Sequence, residues 1–181
     1  MNQKEIFLLI GQKGSGKSFI GSIFDKHFGI RFVRVEDWAK KIKQERAVDN
    51  EAYLKQVFQE IEKGIRDCLN QTDKLVFEST GLTEHFDRML LSLRKDFRVT
   101  TIGINADSNL CLDRVKSRDQ TIHINISDDQ VNMINEKVRS RNFQPDLSIF
   151  NQNKSEFEIV KELESIFRMD TKQNEIVKPN R

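Results

Sequence analysis

The sequence predicts an α/β domain: a parallel sheet with helices on both faces, a three-layer α/β/α arrangement. Three observations lead there. Short apolar runs alternate with amphipathic stretches along nearly the whole chain. The first run, EIFLLI, meets a glycine-rich loop, GQKGSGKS, and then a helical pattern, which joins one strand to one helix. No internal repeat, low-complexity tract or Gly/Ser linker divides the 181 residues, which suffice to bury a core as one domain. Such alternation makes the helices crossovers between parallel strands.

Glu5–Ile10 reads as a buried strand. Lys17–Phe28 reads as a helix, with Phe19, Ile20, Ile23, Phe24 and Phe28 on a period near 3.6. Arg31–Val35 is a short strand. Asp37–Val48 and Glu51–Asn70 read as helices, the second with Leu54, Phe58, Ile61, Ile65 and Cys68/Leu69 on one face. Lys74–Glu78 is a third strand, and Thr83–Lys95 a helix with Phe86, Met89, Leu90 and Leu93 inward. Phe97–Ile104, rich in β-branched residues, is a fourth strand. Asp107 can cap a helix running to about Ser117. SDDQ, Ser127–Gln130, has the form of a capping box and predicts a helix to about Ser140. Leu147–Phe150 is a fifth strand. Ser155–Arg168 is the closing helix, apolar at Ile159, Val160, Leu163, Ile166 and Phe167. Residues 169–181 are polar and read as a frayed tail.

Composition narrows the function classes. A net charge of +2 gives no support for tracking nucleic acid or an anionic membrane. Cys68 and Cys111, the only cysteines, form no CxxC or Cys/His cluster, so neither a disulfide framework nor a zinc site is expected. The early apolar run is too short for a membrane span or a signal-peptide core, so a cytoplasmic protein is expected.

Gly11, Gly16, Lys17 and Ser18 fit G-x-x-x-x-G-K-[ST] between a buried strand and an amphipathic helix. Glycines at 11, 14 and 16 let the backbone turn tightly and bring its amides onto phosphate oxygens. The following helix adds unpaired N–H donors and the positive end of its dipole. Lys17 can reach the β- and γ-phosphates, and the Ser18 hydroxyl can ligate Mg²⁺. Gly11, Lys13, Gly14, Ser15, Gly16, Lys17 and Ser18 are therefore the candidate nucleotide-binding residues, with ATP and Mg²⁺ as ligands.

Other residues point toward the same edge. Glu78 follows four strand residues and should emerge at the carboxyl edge of the sheet, where ligands bind in open α/β sheets. It is a candidate for Mg²⁺, or it caps backbone amides. Glu36 and Asp37 end the second strand similarly. Either could accept a proton from an attacking hydroxyl, with Asp37 preferred, although Asp37 also makes a good N-cap before Trp38. Arg114 and Arg118 are four apart on one helix face and could both spread charge on a transferring phosphoryl group. They also read as a solvated, salt-bridged helix end. Trp38, Tyr53 and the run Lys40, Lys41 and Lys43 could contact a substrate, but Trp38 reads better as a core anchor and the lysines as solvated.

Four stretches, GQKGSGKS, VFESTG (Val76–Gly81), CLDRVKSRD (Cys111–Asp119) and DLSIFNQNKS (Asp146–Ser155), resemble the small P-loop kinases related to adenylate, shikimate and gluconate kinases. The resemblance covers about residues 5–168. It implies a P-loop NTPase fold with a five-stranded parallel sheet of order 2-3-1-4-5. It also implies a single domain over 1–168, with a helical acceptor-binding insertion at 37–73 and a short lid at 118–127. In such proteins the lid arginines approach the nucleotide, which assigns Arg114 to both nucleotide and catalysis and Arg118 to catalysis. The loop after the last strand, here with Asn151, packs near the adenine. A helix returning from the lid supplies an arginine to the phosphates, and Arg139 and Arg141 are the candidates.

The implied activity is transfer of the γ-phosphoryl group of Mg·ATP to a small-molecule or nucleotide acceptor by a monomer or homodimer. A kinase of polynucleotide or toxin type, or a nucleotide-binding switch without efficient transfer, are the alternatives.

Overall fold

The computed structural model describes residues 3–39, 42, 51–117 and 127–176. Strands β1 (Glu5–Ile10), β2 (Arg31–Val33), β3 (Lys74–Ser79), β4 (Arg98–Asn105) and β5 (Leu147–Phe150) form one parallel sheet. Their order is β2-β3-β1-β4-β5, as expected. The helices are α1 (Lys17–Phe28), α2 (Glu36–Ala39), α3 (Glu51–Leu69), α4 (Glu84–Asp96), α5 (Ser108–Ser117), α6 (Asp128–Ser140) and α7 (Glu156–Ile176).

β1 shows why its sequence is apolar from Ile6 to Ile10. Alternate side chains of a strand point to opposite faces, and here both faces are covered. Ile6, Leu8 and Ile10 join a core with α3 and α4, built from Ile61, Ile65, Leu69, Phe86, Met89 and Leu93. Phe7 and Leu9 join a second core with α1 and α7, built from Ile20, Ile23, Phe24, Ile159 and Leu163. Phe7, Phe24, Phe28 and Phe167 pack edge-on or tilted there, with centroids 5.0–6.2 Å apart. Fully burying such a ring, as at Phe24, contributes about 1.5–3 kcal/mol before entropy is counted.

The caps follow the sequence. Ser127 Oγ accepts from the Gln130 amide, and Gln130 Oε1 accepts from the Ser127 amide. Asp107 Oδ1 accepts from the Asn109 amide at the start of α5.

Most boundaries fall within one residue of expectation, while the ends of β2 and α7 differ by more. β2 stops at Val33 because the chain turns at once: the carbonyls of Arg34 and Val35 accept from the amides of Asp37 and Trp38. Asp37 therefore lies inside the first turn of α2, not at its N-cap. Of the expected helix to Val48, Glu36–Ala39 is seen, and residues 40, 41 and 43–50, including Lys40, Lys41 and Lys43, lie outside the described residues. α7 continues past Arg168 to Ile176, since no proline or glycine interrupts it before Pro179. No helix among the described residues is long and apolar enough to cross a membrane.

β1 lies between β3 and β4, so the loop leaving it opens at the middle of the sheet's carboxyl edge. Leu9 pairs with Glu78 and Ile10 with Ser79, which puts Glu78 level with the end of β1.

Candidate active site

The loop between β1 and α1 takes a shape that glycine makes possible. The Gln12 carbonyl accepts from the Ser15 amide at 3.2 Å, closing a turn with Gly14 at φ +85°. A side chain at Gly14 would also meet the Cys111 carbonyl. Gly16 caps α1 at φ +96°, and no side chain caps that helix. The first-turn amides of α1 thus lack the usual side-chain acceptor. The Ser15 hydroxyl is buried and without a hydrogen-bond partner among the described residues. These features fit an anion at the loop.

Lys17 is buried, and its Nζ donates to the carbonyls of Gly11 (3.0 Å) and Gln12 (2.7 Å). Burial pulls its pKa down to about 8; Glu78 opposes the shift and Lys13 adds to it. A desolvated ammonium held among carbonyls is a strong point charge for phosphate.

Glu78 shares strand parity with Val76, which belongs to the core on the α1 side of the sheet. It therefore faces α1, and the Ser18 hydroxyl donates to its Oε1 at 2.7 Å. One hydroxyl beside one carboxylate is the sparse protein set that Mg²⁺ takes when phosphate and water supply the other oxygens.

Lys17, Ser18, Glu36, Glu78, Thr80 and Arg114 line one cavity of about 310 Å³. Glu36 lines it, whereas Asp37, the preferred carboxylate of the sequence reading, is exposed. Phe19, expected on the packed face of α1, also borders the cavity and is 39% exposed. A larger hollow of about 540 Å³ lies beside α3 at Trp38, Gln56, Glu60, Lys63 and Asp67. It contains no residue of the glycine-rich loop, whose motif side chains Lys17 and Ser18 line the smaller cavity.

Arg114 lies across the loop. It donates to the carbonyls of Gly14 (3.3 Å), Ser15 (3.5 Å) and Asn151 (3.3 Å) and to Asn153 Oδ1 (3.1 Å). Asn151 is buried and donates to the Ser15 carbonyl at 2.9 Å, while its amide donates to Asn105. The loop after β5 and the helix α5 thus meet the phosphate loop. Arg118 and all but the last residue of the expected lid at 118–127 lie outside the described residues.

The two arginines left open at the end of α6 part company. Arg141 pairs with Asp87 and stacks over Phe86 and Phe143, with its guanidinium 5.6 and 5.7 Å from the ring centroids. Arg139 donates to Ser108 Oγ. Sequence reasoning missed Asn135, which is buried on α6 and bonds both peptide groups of Lys13. The available signal was an asparagine one turn after Val131, on the helix's apolar face.

No family model matches the sequence, and no curated protein matches it. Solved structures do match. Shikimate kinase from Aquifex aeolicus shares 22% identity at TM-score 0.60, over 96% of this chain and 99% of that one. APS kinase from Mycobacterium tuberculosis, in complex with AMPPNP and APS, shares 12% at TM-score 0.61, over 93% and 99%. A gluconokinase from Sinorhizobium meliloti shares 14% at TM-score 0.63, over 98% and 100%. At these identities the likeness is one of fold: this chain has the fold of the small P-loop kinases.

Proposed function

We propose that the chain is a kinase that transfers the terminal phosphoryl group of ATP to a hydroxyl-bearing small molecule or nucleotide. The observation that carries this reading is the convergence of Lys17, Ser18, Glu36, Glu78 and Arg114 on one cavity above the phosphate loop. That cavity lies at the edge where this fold holds ligands, and the fold matches kinases of shikimate, gluconate and APS.

The residues fit Mg·ATP. The amides of residues 13–18 and the Lys17 ammonium take the phosphates; Ser18 takes the metal, with Glu78 beside it. When bound, Mg²⁺ neutralises phosphate charge and orients the oxygens. Arg114, braced by Asn151 and Asn153, holds its guanidinium against the loop and spreads charge on the phosphoryl oxygens. Glu36 is placed to hydrogen-bond an acceptor hydroxyl and take its proton, a role that passes to it from Asp37 because Asp37 faces solvent. Arg118 joins Arg114 in this reading as the second cation of the α5 end. Positioning and electrostatics supply the acceleration.

The test is ADP release from Mg·ATP with a panel of hydroxy acids, sugar acids, adenylylsulfate and nucleoside monophosphates. One of them should raise turnover well above the rate with water alone. ATP binding without acceptor-dependent turnover on any of them contradicts the kinase reading.

A further inference from the structure

Asn135 lies on the buried face of α6 and is 4% exposed. Its side chain holds one residue of the phosphate loop from two sides. Oδ1 accepts from the Lys13 amide at 2.7 Å, and Nδ2 donates to the Lys13 carbonyl at 3.0 Å. Asparagine is an indifferent helix former, and this one spends its hydrogen-bonding groups on a loop far away in sequence. What it grips explains why it is there.

The gripped segment is a β-turn, a class that has two forms differing in the central peptide. Gln12, Lys13, Gly14 and Ser15 form a β-turn closed by the Ser15 amide on the Gln12 carbonyl. Gly14, its third residue, has φ +85°, as a type II turn requires. A type I turn joins the same ends with the central Lys13–Gly14 peptide turned over, and glycine at the third position tolerates both. In a trans peptide the carbonyl and the following N–H point opposite ways. Drawing the Lys13 carbonyl toward α6 therefore turns the Gly14 N–H away from α6. The flipped peptide exchanges the two, replacing an amide that attracts phosphate oxygen with a carbonyl that repels it.

We propose that Asn135 is a positioning residue: it selects the orientation of the Lys13–Gly14 peptide that offers an amide to a nucleotide phosphate. The inference rests on the nucleotide reading above and deepens it. A second tie runs parallel to the first. Arg139, one turn further along α6, donates to Ser108 Oγ, which also accepts from Gln12 Nε2 at 3.5 Å. α6 thus holds the neighbouring residue of the loop as well. Gln12 matters because its own carbonyl accepts from Lys17.

The experiment uses the full chain and inorganic tripolyphosphate, titrated by calorimetry, with thermal midpoints measured in parallel. Asn135→Leu keeps the four-heavy-atom, γ-branched outline of the side chain and removes both hydrogen bonds. Val131→Ala, on the same buried face, is the control for general loosening of α6. Asn135→Leu is expected to weaken tripolyphosphate about 10-fold or more, because affinity falls with the fraction of loops in the competent form. Val131→Ala is expected to lower the midpoint and leave tripolyphosphate affinity within about 2-fold, since its loop stays in the competent form. If Asn135→Leu does not fold, Asn135→Ala carries the same expectation. Wild-type binding with unchanged affinity in the Asn135 variant overturns the inference alone. Equal losses in the Asn135 and Val131 variants also overturn it, because a merely structural role gives that result. A wild-type chain that binds neither tripolyphosphate nor ATP overturns the nucleotide reading and takes this inference with it.

Discussion

Ser18, in the first turn of α1, donates its hydroxyl to Glu78 at the end of β3 across 2.7 Å. The bond ties the helix that follows the phosphate loop to the strand beside it. In the proposed function it holds a metal-binding hydroxyl and its carboxylate neighbour in register. Glu78→Gln keeps the shape and removes the charge. It is expected to raise the Mg²⁺ concentration needed for half-maximal turnover about 10–100-fold. A Mg²⁺ titration of acceptor-dependent ADP release reads this directly, and an unchanged midpoint contradicts the role given to Glu78.

Lys17 predicts a pH-dependent stability. Burial lowers its folded pKa from 10.5 to about 8. Between those values the unfolded chain binds a proton that the folded chain does not. The contribution of Lys17 to stability is therefore lost as pH falls through 8 and is restored as pH rises toward 10.5. Lys17→Met carries no such proton. From pH 7.5 to 10.5 the wild type should gain on Lys17→Met by up to about 3 kcal/mol. Urea denaturation of both proteins across that range is the measurement, and a constant difference contradicts the buried-ammonium assignment.

Gly64 predicts how α2 sits on α3. A Cβ there would lie 2.6 Å from the Trp38 ring. In an exposed helix Gly→Ala stabilises by about 1 kcal/mol; here overpacking costs about 1–3 kcal/mol. Gly64→Ala should be neutral to destabilising in the wild type, yet stabilising when Trp38 is already alanine. A double-mutant cycle in urea checks the change of sign. The same benefit in both backgrounds contradicts the packing.

Asn151 predicts a link between the loop after β5 and the phosphate loop. Asn151→Ala removes the shorter of two side-chain hydrogen bonds to the Ser15 carbonyl, the other coming from Arg114. It should cost about 1–3 kcal/mol of stability, measured by urea denaturation. It should also weaken ATP, because Arg114 leans on the same segment. An effect on neither places Asn151 outside the site.

The strands, the sheet's carboxyl edge and the phosphate loop were legible because each rests on local pattern. EIFLLI is apolar after Glu5 because both faces of β1 are covered, and SDDQ caps α6 through two bonds within four residues. Choosing between Glu36 and Asp37 depended on where β2 ends. The early turn at Arg34 was invisible to periodicity, since Val33, Arg34 and Val35 still alternate as a strand does. Asn135 was illegible for a different reason. In sequence it is one polar residue among several in a mixed helix, and its partner lies 122 positions away. Arg141 and Arg139 were equivalent as charges at a helix end, and only packing against Phe86, Phe143 and Asp87 separates them.

The central claim is that the loop between β1 and α1 holds a triphosphate through its amides and Lys17. Calorimetric titration of ATP into the wild type and Lys17→Met tests it most directly. The wild type should bind, and Lys17→Met should bind about 30-fold more weakly or worse. Equal affinity in the two proteins, or no heat of binding in the wild type, contradicts it.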